Sequence, residues 1–255
     1  MVKPVKNTDF MLERPESSKI VASITYGILA FFSLPFILLL LLQGSFDNEE
    51  VVVGVEMAYH VINFLATLCI FHAFLKESFW NVESNVKHFA KTVAMSAGVT
   101  IVVAIIVFWF LLPSDNPYAI WGAYGILPLA EMNLFALPSD LIYVQPIWGV
   151  LCTTLLAPIT IGCVYYATVF APIANDHPKL AYVVMAVCLA IPRLCNALTY
   201  WDPMGELVMY VVQLPIHMVA CRAYQKTDTV WAPIGVLAAV NLVTGCAFAL
   251  MRVLM

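Results

Sequence analysis

Charged residues are scarce in this chain of 255 residues. Only 11% of its residues are Asp, Glu, Lys or Arg, whereas 62% are hydrophobic, and the mean hydropathy is +0.90. A soluble domain carries about a quarter charged residues, so this chain lacks the polar groups that would cover its apolar surface in water. The net charge of -4 leaves no basic field for nucleic acid. The composition therefore predicts an integral membrane protein whose first partner is the lipid bilayer, and it argues against nucleic acid as a partner.

Recognised chemical motifs are missing as well. No two of the seven cysteines form a Cys-x-x-Cys pair, and all seven lie in apolar runs. We interpret them as small packing residues of helices rather than as a disulfide or zinc framework. The chain also lacks a serine-nucleophile motif, a Walker loop, a dinucleotide-binding glycine motif and His-Glu-x-x-His. We expect neither a metal nor a cofactor.

What the chain does contain is seven apolar runs, each long enough to cross a bilayer as a helix of about 20 residues. They cover residues 20–43, 51–75, 92–113, 147–171, 179–200, 206–224 and 230–251. The polar segment before the first run is interpreted as a retained tail, because that run is too long for a signal peptide. The sequence thus predicts an all-α polytopic transmembrane bundle (20–255) behind an N-terminal tail (1–19).

Basic residues are absent from every second connection between these runs, namely 44–50, 114–146 and 201–205. Of the twelve basic residues, ten lie on the other side, one lies inside a run and one lies at the C-terminus. Because positively charged connections stay in the cytoplasm, the N-terminus is predicted to be cytoplasmic and the C-terminus extracytoplasmic. We expect the bacterial plasma membrane. An additional span within 117–138 would reverse the later helices, and the charge pattern argues against one.

Two connections are more than turns. Residues 76–91 carry apolar side chains at helical spacing among Lys and Glu, which predicts an interfacial amphipathic helix on the cytoplasmic face. These side chains are Phe79, Val82, Val86 and Phe89. Residues 114–146 form a long aromatic loop broken by Pro and Gly. Long irregular loops are often functional, so this extracytoplasmic loop is interpreted as a cap or a re-entrant segment.

Few polar side chains lie inside the predicted spans. Ionisable groups in hydrocarbon are costly, which makes each of them a candidate functional residue. The candidates for an intramembrane binding site are Glu56, His60, Arg193, Asn196, His217 and Asn241. Arg193 needs a partner, and Glu56 is the only carboxylate that the span boundaries place at its depth. We therefore predict that the two pair or line one polar cavity, with a pair that only fixes helix register as the alternative.

Three stretches in the C-terminal half form a recognisable pattern. They are "LLAPITIGCVYYATVF" (155–170), "LAIPR" (189–193) and "DTVWAPIGVLAAVN" (228–241). In their order and spacing, residues 150–250 resemble the CAAX-protease and bacteriocin-processing (CPBP) family of membrane proteins. That family has Ala-Pro before a Glu pair and Phe-Arg-Gly, then a helix with a His. A last helix begins near Trp-Ala-Pro, contains a second His and ends on an Asn, here Asn241.

The residues that carry catalysis in that family are missing from this sequence. The Glu pair, whose first member activates a water molecule, aligns with Ile161 and Gly162, and the motif Arg aligns with Tyr166. The two histidines align with Arg193 and Leu237. Since a general base needs a titratable group within reach of the water, the resemblance implies the family's scaffold without its peptidase machinery.

Three functions remain open at this point. The favoured one is a non-catalytic membrane protein, a pseudoenzyme on this scaffold, that binds a membrane protein partner, a lipid or a lipidated peptide. The second is a small-solute transporter, or a membrane subunit of a transport complex, that uses the polar residues around Glu56 and Arg193. The third is an active intramembrane peptidase with relocated residues such as His72, His217 and Glu131.

Overall fold

The computed structural model describes residues 12–28, 49–111, 146–200 and 203–254. All regular structure in these ranges is helical, which confirms the predicted all-α class. The helices are α1 (Ser17–Ile28), α2 (Glu49–Ser84), α3 (Val86–Leu111), α4 (146–176), α5 (Pro178–Tyr200), α6 (Pro203–Thr227) and α7 (Trp231–Leu254). For some helical residues, Glu56 and Asn196 among them, the described part stops at the backbone. The predicted loop at 114–146 lies almost entirely outside the described residues.

Several helices are suited to a lipid environment. Within the described ranges, the stretches long and apolar enough to cross a membrane are Met57–Ser84, Val86–Val103 and Cys152–Asp176, and Trp231–Val243 is apolar but shorter. Large apolar side chains also cover the outer surface: Leu65 is 53% exposed and Leu198 is 66% exposed. Exposed large apolar side chains occur on every described helix, and extensive apolar surface is typical of contacts with a membrane or a partner. The bundle is therefore compatible with a membrane protein, and the count of seven spans stays a prediction.

Helix α4 occupies the centre of the bundle, and most residues of its apolar stretch Cys152–Asp176 are buried. Two of its stretches, Cys152–Leu156 and Gly162–Phe170, are π-helical. Each runs up to an Ala-Pro pair, the first at 157–158 and the second at 171–172. Proline has no N–H, and its ring crowds the carbonyl four residues earlier. A wider turn avoids that clash, and the alanine of each pair donates to the carbonyl five residues earlier.

Three of the cysteines that the structure describes fit the predicted packing role in the core. Cys152, Cys163 and Cys221 are buried, whereas Cys188 is half-buried and Cys69 is exposed on α2. Burial suits a small and weakly polar side chain. These thiols fill space between α4 and its neighbours.

The connections predicted to be cytoplasmic meet at one end of the bundle, which we call the basic end (residues 12–16, 76–91, 177–179 and 225–230). Ser78 of α2 shares a hydrogen bond of 2.8 Å with the hydroxyl of Thr229, in the α6–α7 turn. The indole N–H of Trp231 donates to the carbonyl of Leu75 at 3.0 Å. The alternation of basic and acidic connections along the sequence requires the basic ones to lie at the same end of the bundle.

The N-terminal segment before α1 is clamped onto this basic end. The amide of Leu12 donates to the side chain of Asn175 at 2.5 Å, and that side chain returns a bond of 3.1 Å to the carbonyl of Leu12. The amide of Glu13 donates to the carboxylate of Asp228 at 2.9 Å. The hydroxyl of Tyr224 donates to the carbonyl of Glu13. Residues 12–16 thereby join α4, α6 and the α6–α7 turn.

The prediction of a separate interfacial helix at 76–91 is wrong. Residues up to Ser84 continue α2, Asn85 forms a turn, and Val86 begins α3. No Pro or Gly occurs between residues 55 and 97, so the helix continues until Asn85, which readily adopts a turn conformation. The apolar side chains of this stretch do not form one face, because Val82 is buried whereas Phe79 and Val86 are exposed.

We expect the clamp to loosen as the pH rises. Burial raises the pKa of Glu13 above its ordinary value. Hydrogen bonds with Ser78 and Asn81 lower this pKa, the nearby carboxylates of Asp228 and Glu77 raise it, and the net shift is upward. Burial likewise raises the pKa of Asp228. The folded state therefore binds these protons more tightly than the unfolded state. Docking of residues 12–16 weakens as the pH rises from the ordinary pKa of these carboxyl groups to their raised pKa.

Hydrogen exchange at the amides of Leu12 and Glu13, corrected for the intrinsic rate, measures this effect. Protection should be greater at mildly acidic pH than at neutral pH. Glu13→Gln should reduce the difference, whereas Glu16→Gln, at an exposed position of the same segment, should preserve it. An unchanged pH dependence in Glu13→Gln would show that this carboxyl group does not control docking.

Candidate functional site

Helix α6 carries a stripe of buried polar side chains. Glu206, Gln213 and His217 are spaced by seven and then four residues, which places them on one helix face. Their exposed fractions are 8%, 2% and 0%. Because α6 packs against both α5 and the second π-helical stretch of α4, this stripe faces the interior of the bundle.

Arg193 of α5 reaches across to this stripe. Its Nε donates to the side-chain oxygen of Gln213 at 3.1 Å, and its Nη1 forms an ion pair of 3.1 Å with Glu206. Both charged side chains are about nine-tenths buried. A buried guanidinium needs a carboxylate and further hydrogen-bond acceptors to offset its desolvation. Glu206 and Gln213 supply both, so we call Arg193, Glu206 and Gln213 the arginine cluster.

Glu206 corrects one premise drawn from the sequence. The predicted span boundaries leave Glu56 as the only carboxylate at the depth of Arg193, because they put Glu206 at the outer end of its span. The structure instead gives Arg193 a carboxylate from the adjacent helix α6. The side chains of Glu56 and Asn196 lie outside the described part of the chain, so the pairing of Glu56 with Arg193 stays a prediction. The spacing of Glu206, Gln213 and His217 was the signal that could have revealed this stripe.

Tyr166 and His217 form a second buried polar pair. The hydroxyl of Tyr166 lies 2.6 Å from Nδ1 of His217, and the two rings stack with centroids 6.0 Å apart. Both side chains are fully buried, and Nε2 of His217 has no hydrogen-bond partner in the described part of the chain. The second π-helical stretch of α4 places Tyr166 in this position. Sequence reasoning selected both residues separately but missed their contact.

A third polar group joins α1 and α2 to α4. Ser23 shares a hydrogen bond of 2.9 Å with the hydroxyl of Thr168, whose side chain also bonds the carbonyl of Cys163 at 2.6 Å. The hydroxyl of Tyr26 donates to the side chain of Asn63 at 2.8 Å. His60 lies one turn before Asn63 and is 3% exposed. These contacts place His60 in a buried, partly polar region of α2.

The helices that carry the resemblance to the protease family do pack together, since α4 contacts both α5 and α7. At their crossing, however, the space is filled. A Cβ atom on Gly162 would lie 2.3 Å from Cγ1 of Ile234. Ile161 is 2% exposed and Leu237 is fully buried. The motif positions Ile161, Gly162 and Leu237 therefore lie in close-packed core, whereas Tyr166 and Arg193 take part in buried polar contacts.

Asn241, the retained Asn of the pattern, has a structural contact. Its side-chain amide donates to the carbonyl of Thr153 at 2.8 Å and is 1% exposed. Thr153 lies in the first π-helical stretch of α4. Backbone hydrogen bonds in such a stretch join residues five apart instead of four. The contact ties α7 to α4.

Comparison of the chain with models of protein families, with curated proteins and with solved structures found no match. The resemblance to the CAAX-protease and bacteriocin-processing family therefore depends on the quoted motifs alone. Within the described residues, no group of three or more His, Cys, Asp or Glu side chains is arranged to hold a metal ion. The geometry shows paired, buried polar side chains within an apolar bundle.

Proposed function

We propose that this chain is a multi-pass protein of the bacterial plasma membrane with seven spans and a cytoplasmic N-terminus. It binds a membrane protein partner, a lipid or a lipidated peptide, and it does not hydrolyse that ligand. The apolar outer surface supports the membrane location. The basic end, where alternate connections meet, supports the proposed orientation, because positively charged connections remain in the cytoplasm.

The packing around Gly162 is the observation that carries the non-catalytic part of this proposal. An intramembrane peptidase needs a polar cavity that admits a water molecule and places it beside a general base. Ile234 occupies the space beside Gly162, and the motif positions Ile161 and Leu237 are apolar and buried. Apolar core side chains therefore occupy the place where a peptidase of similar helix arrangement would need its water molecule.

Purification of the full chain in mild detergent, followed by native mass spectrometry, tests the binding role. We expect a stoichiometric lipid, lipidated peptide or protein partner to remain bound. In parallel, the purified protein should not cleave prenylated or leader peptides. Cleavage that is lost in His217→Ala would overturn the non-catalytic assignment, and solute flux into proteoliposomes that is lost in Glu56→Gln would favour a transporter.

A further inference from the structure

A groove of about 390 Å³ opens at the basic end of the bundle, along the outer face of α2 and beside the start of α7. The residues of α2 that line it include Leu68, His72, Lys76, Trp80 and Glu83. These positions recur every three to four residues, so they lie on one helix face. At 1.5 Å per residue, the face from Leu68 to Glu83 spans about 22 Å.

The chemistry of this face changes in a defined order. An apolar section at Leu68 is followed by two groups that can carry positive charge, His72 and Lys76, and then by an aromatic ring and a carboxylate, Trp80 and Glu83. A zwitterionic phospholipid has the same order read from its chains outward: hydrocarbon, then phosphate, then ammonium. The polar end of the groove lies where α2 approaches the basic end, at the level expected for headgroups.

The charged groups of the groove are available to a ligand. His72, Lys76 and Glu83 are exposed, and none of them makes a hydrogen bond or ion pair with the described part of the chain. Trp80 is 61% exposed. Lysine and neutral or charged histidine both donate hydrogen bonds to phosphate oxygens. The ammonium of a headgroup is attracted to a carboxylate and to the face of an indole ring.

The apolar wall of the groove is fixed in advance. Trp231 of α7 donates its indole N–H to the carbonyl of Leu75 at 3.0 Å. Its ring meets that of Phe79 edge to face, with centroids 5.9 Å apart and an interplanar angle of 81°. A ring held at both its polar atom and its edge loses little freedom when a ligand binds, which favours a preformed site.

We propose that this groove binds an aminophospholipid of the phosphatidylethanolamine type from the cytoplasmic leaflet. Its acyl chain lies along Leu68, its phosphate lies between His72 and Lys76, and its ammonium meets Glu83 and Trp80. Glu83 disfavours anionic lipids that lack the ammonium group, because the headgroup of such a lipid offers no positive charge to the carboxylate of Glu83. This inference rests on the proposed membrane location and specifies the ligand class.

Native mass spectrometry of the full chain, titrated with phosphatidylethanolamine or with phosphatidylglycerol, tests the site. We expect the ethanolamine lipid to bind several-fold more tightly. Lys76→Ala should weaken its binding about tenfold, the effect of losing one charge-assisted hydrogen bond. Lys91→Ala, which removes an exposed lysine outside the groove, should leave it unchanged. Glu83→Gln should bring the two lipids to equal affinity.

Equal or tighter binding of phosphatidylglycerol to the unaltered chain would overturn the inference, and so would equal lipid affinity of Lys76→Ala and Lys91→Ala. A peptide found in place of the lipid would also overturn it. Alkaline carbonate extraction separates this failure from failure of the proposed function. A protein that stays in the membrane pellet but does not select the ethanolamine lipid refutes only this inference, whereas release by carbonate refutes the membrane role as well.

Discussion

Replacing Glu206 with Leu should reduce the free energy of unfolding by about 3–5 kcal/mol, the cost of leaving a buried charge without its partner. The guanidinium of Arg193 is nine-tenths buried and donates to the carboxylate of Glu206 at 3.1 Å. Gln213 still accepts a hydrogen bond from the guanidinium after that change, but it carries no charge. Denaturant titration of the purified protein in detergent would measure the loss.

The double replacement Arg193→Met with Glu206→Leu should recover much of this stability, because no unpaired charge remains. Glu16→Leu, at an exposed carboxylate in the clamp segment, is the control and should change little. If Glu206→Leu costs no more than Glu16→Leu, the stabilising partner of Arg193 lies elsewhere. Glu56 would then be the next candidate.

Gly162→Ala should destabilise the protein by about 1–3 kcal/mol, the usual cost of overpacking a core. The added Cβ would lie 2.3 Å from Cγ1 and 2.8 Å from Cδ1 of Ile234. Ile234 is β-branched, so its Cγ1 cannot move far without leaving its rotamer. The two helices would have to separate. The same crowding leaves no space for a longer side chain such as glutamate at this position.

Gly98→Ala is the matched control for this change, because a Cβ there meets no atom within 4 Å. It should stabilise the helix slightly, by up to about 1 kcal/mol, through the higher helix propensity of alanine. Combining Gly162→Ala with Ile234→Ala should cost less than the sum of the two single changes. Strict additivity in unfolding measurements would show that the two side chains do not compete for the same space.

Much of the helical frame was predictable from the sequence. Long apolar runs located the helices from α4 onward within about five residues, and Pro178 and Pro203 stand at helix starts, where a missing N–H is tolerated. The junction of α2 and α3 was not predictable in the same way. Its apolar spacing suits a surface helix as well as a continuation of α2, and only packing decides that Val82 is buried.

The site was harder to predict because its contacts join different helices. An assignment of depth from run boundaries put Glu206 at a surface and so hid its bond to Arg193. The contact of Tyr166 with His217 depends on π-helical winding, which rotates the side chains of α4 relative to a regular helix. A single sequence gives no direct sign of that rotation, although the Ala-Pro pairs that accompany it are visible.

The clamp at the basic end also imposes an order on biosynthesis. Glu13 and its partner Asp228 are 215 residues apart in the chain. A ribosome that adds about 5–20 residues per second needs about 10–40 s to make that stretch. Leu12 can dock once Asn175 of α4 has been made, whereas Glu13 waits until α6 and the turn after it have been made. The clamp is complete only after Asp228 has been made, so a truncated chain ending before Asp228 would lack one of the bonds that hold this segment.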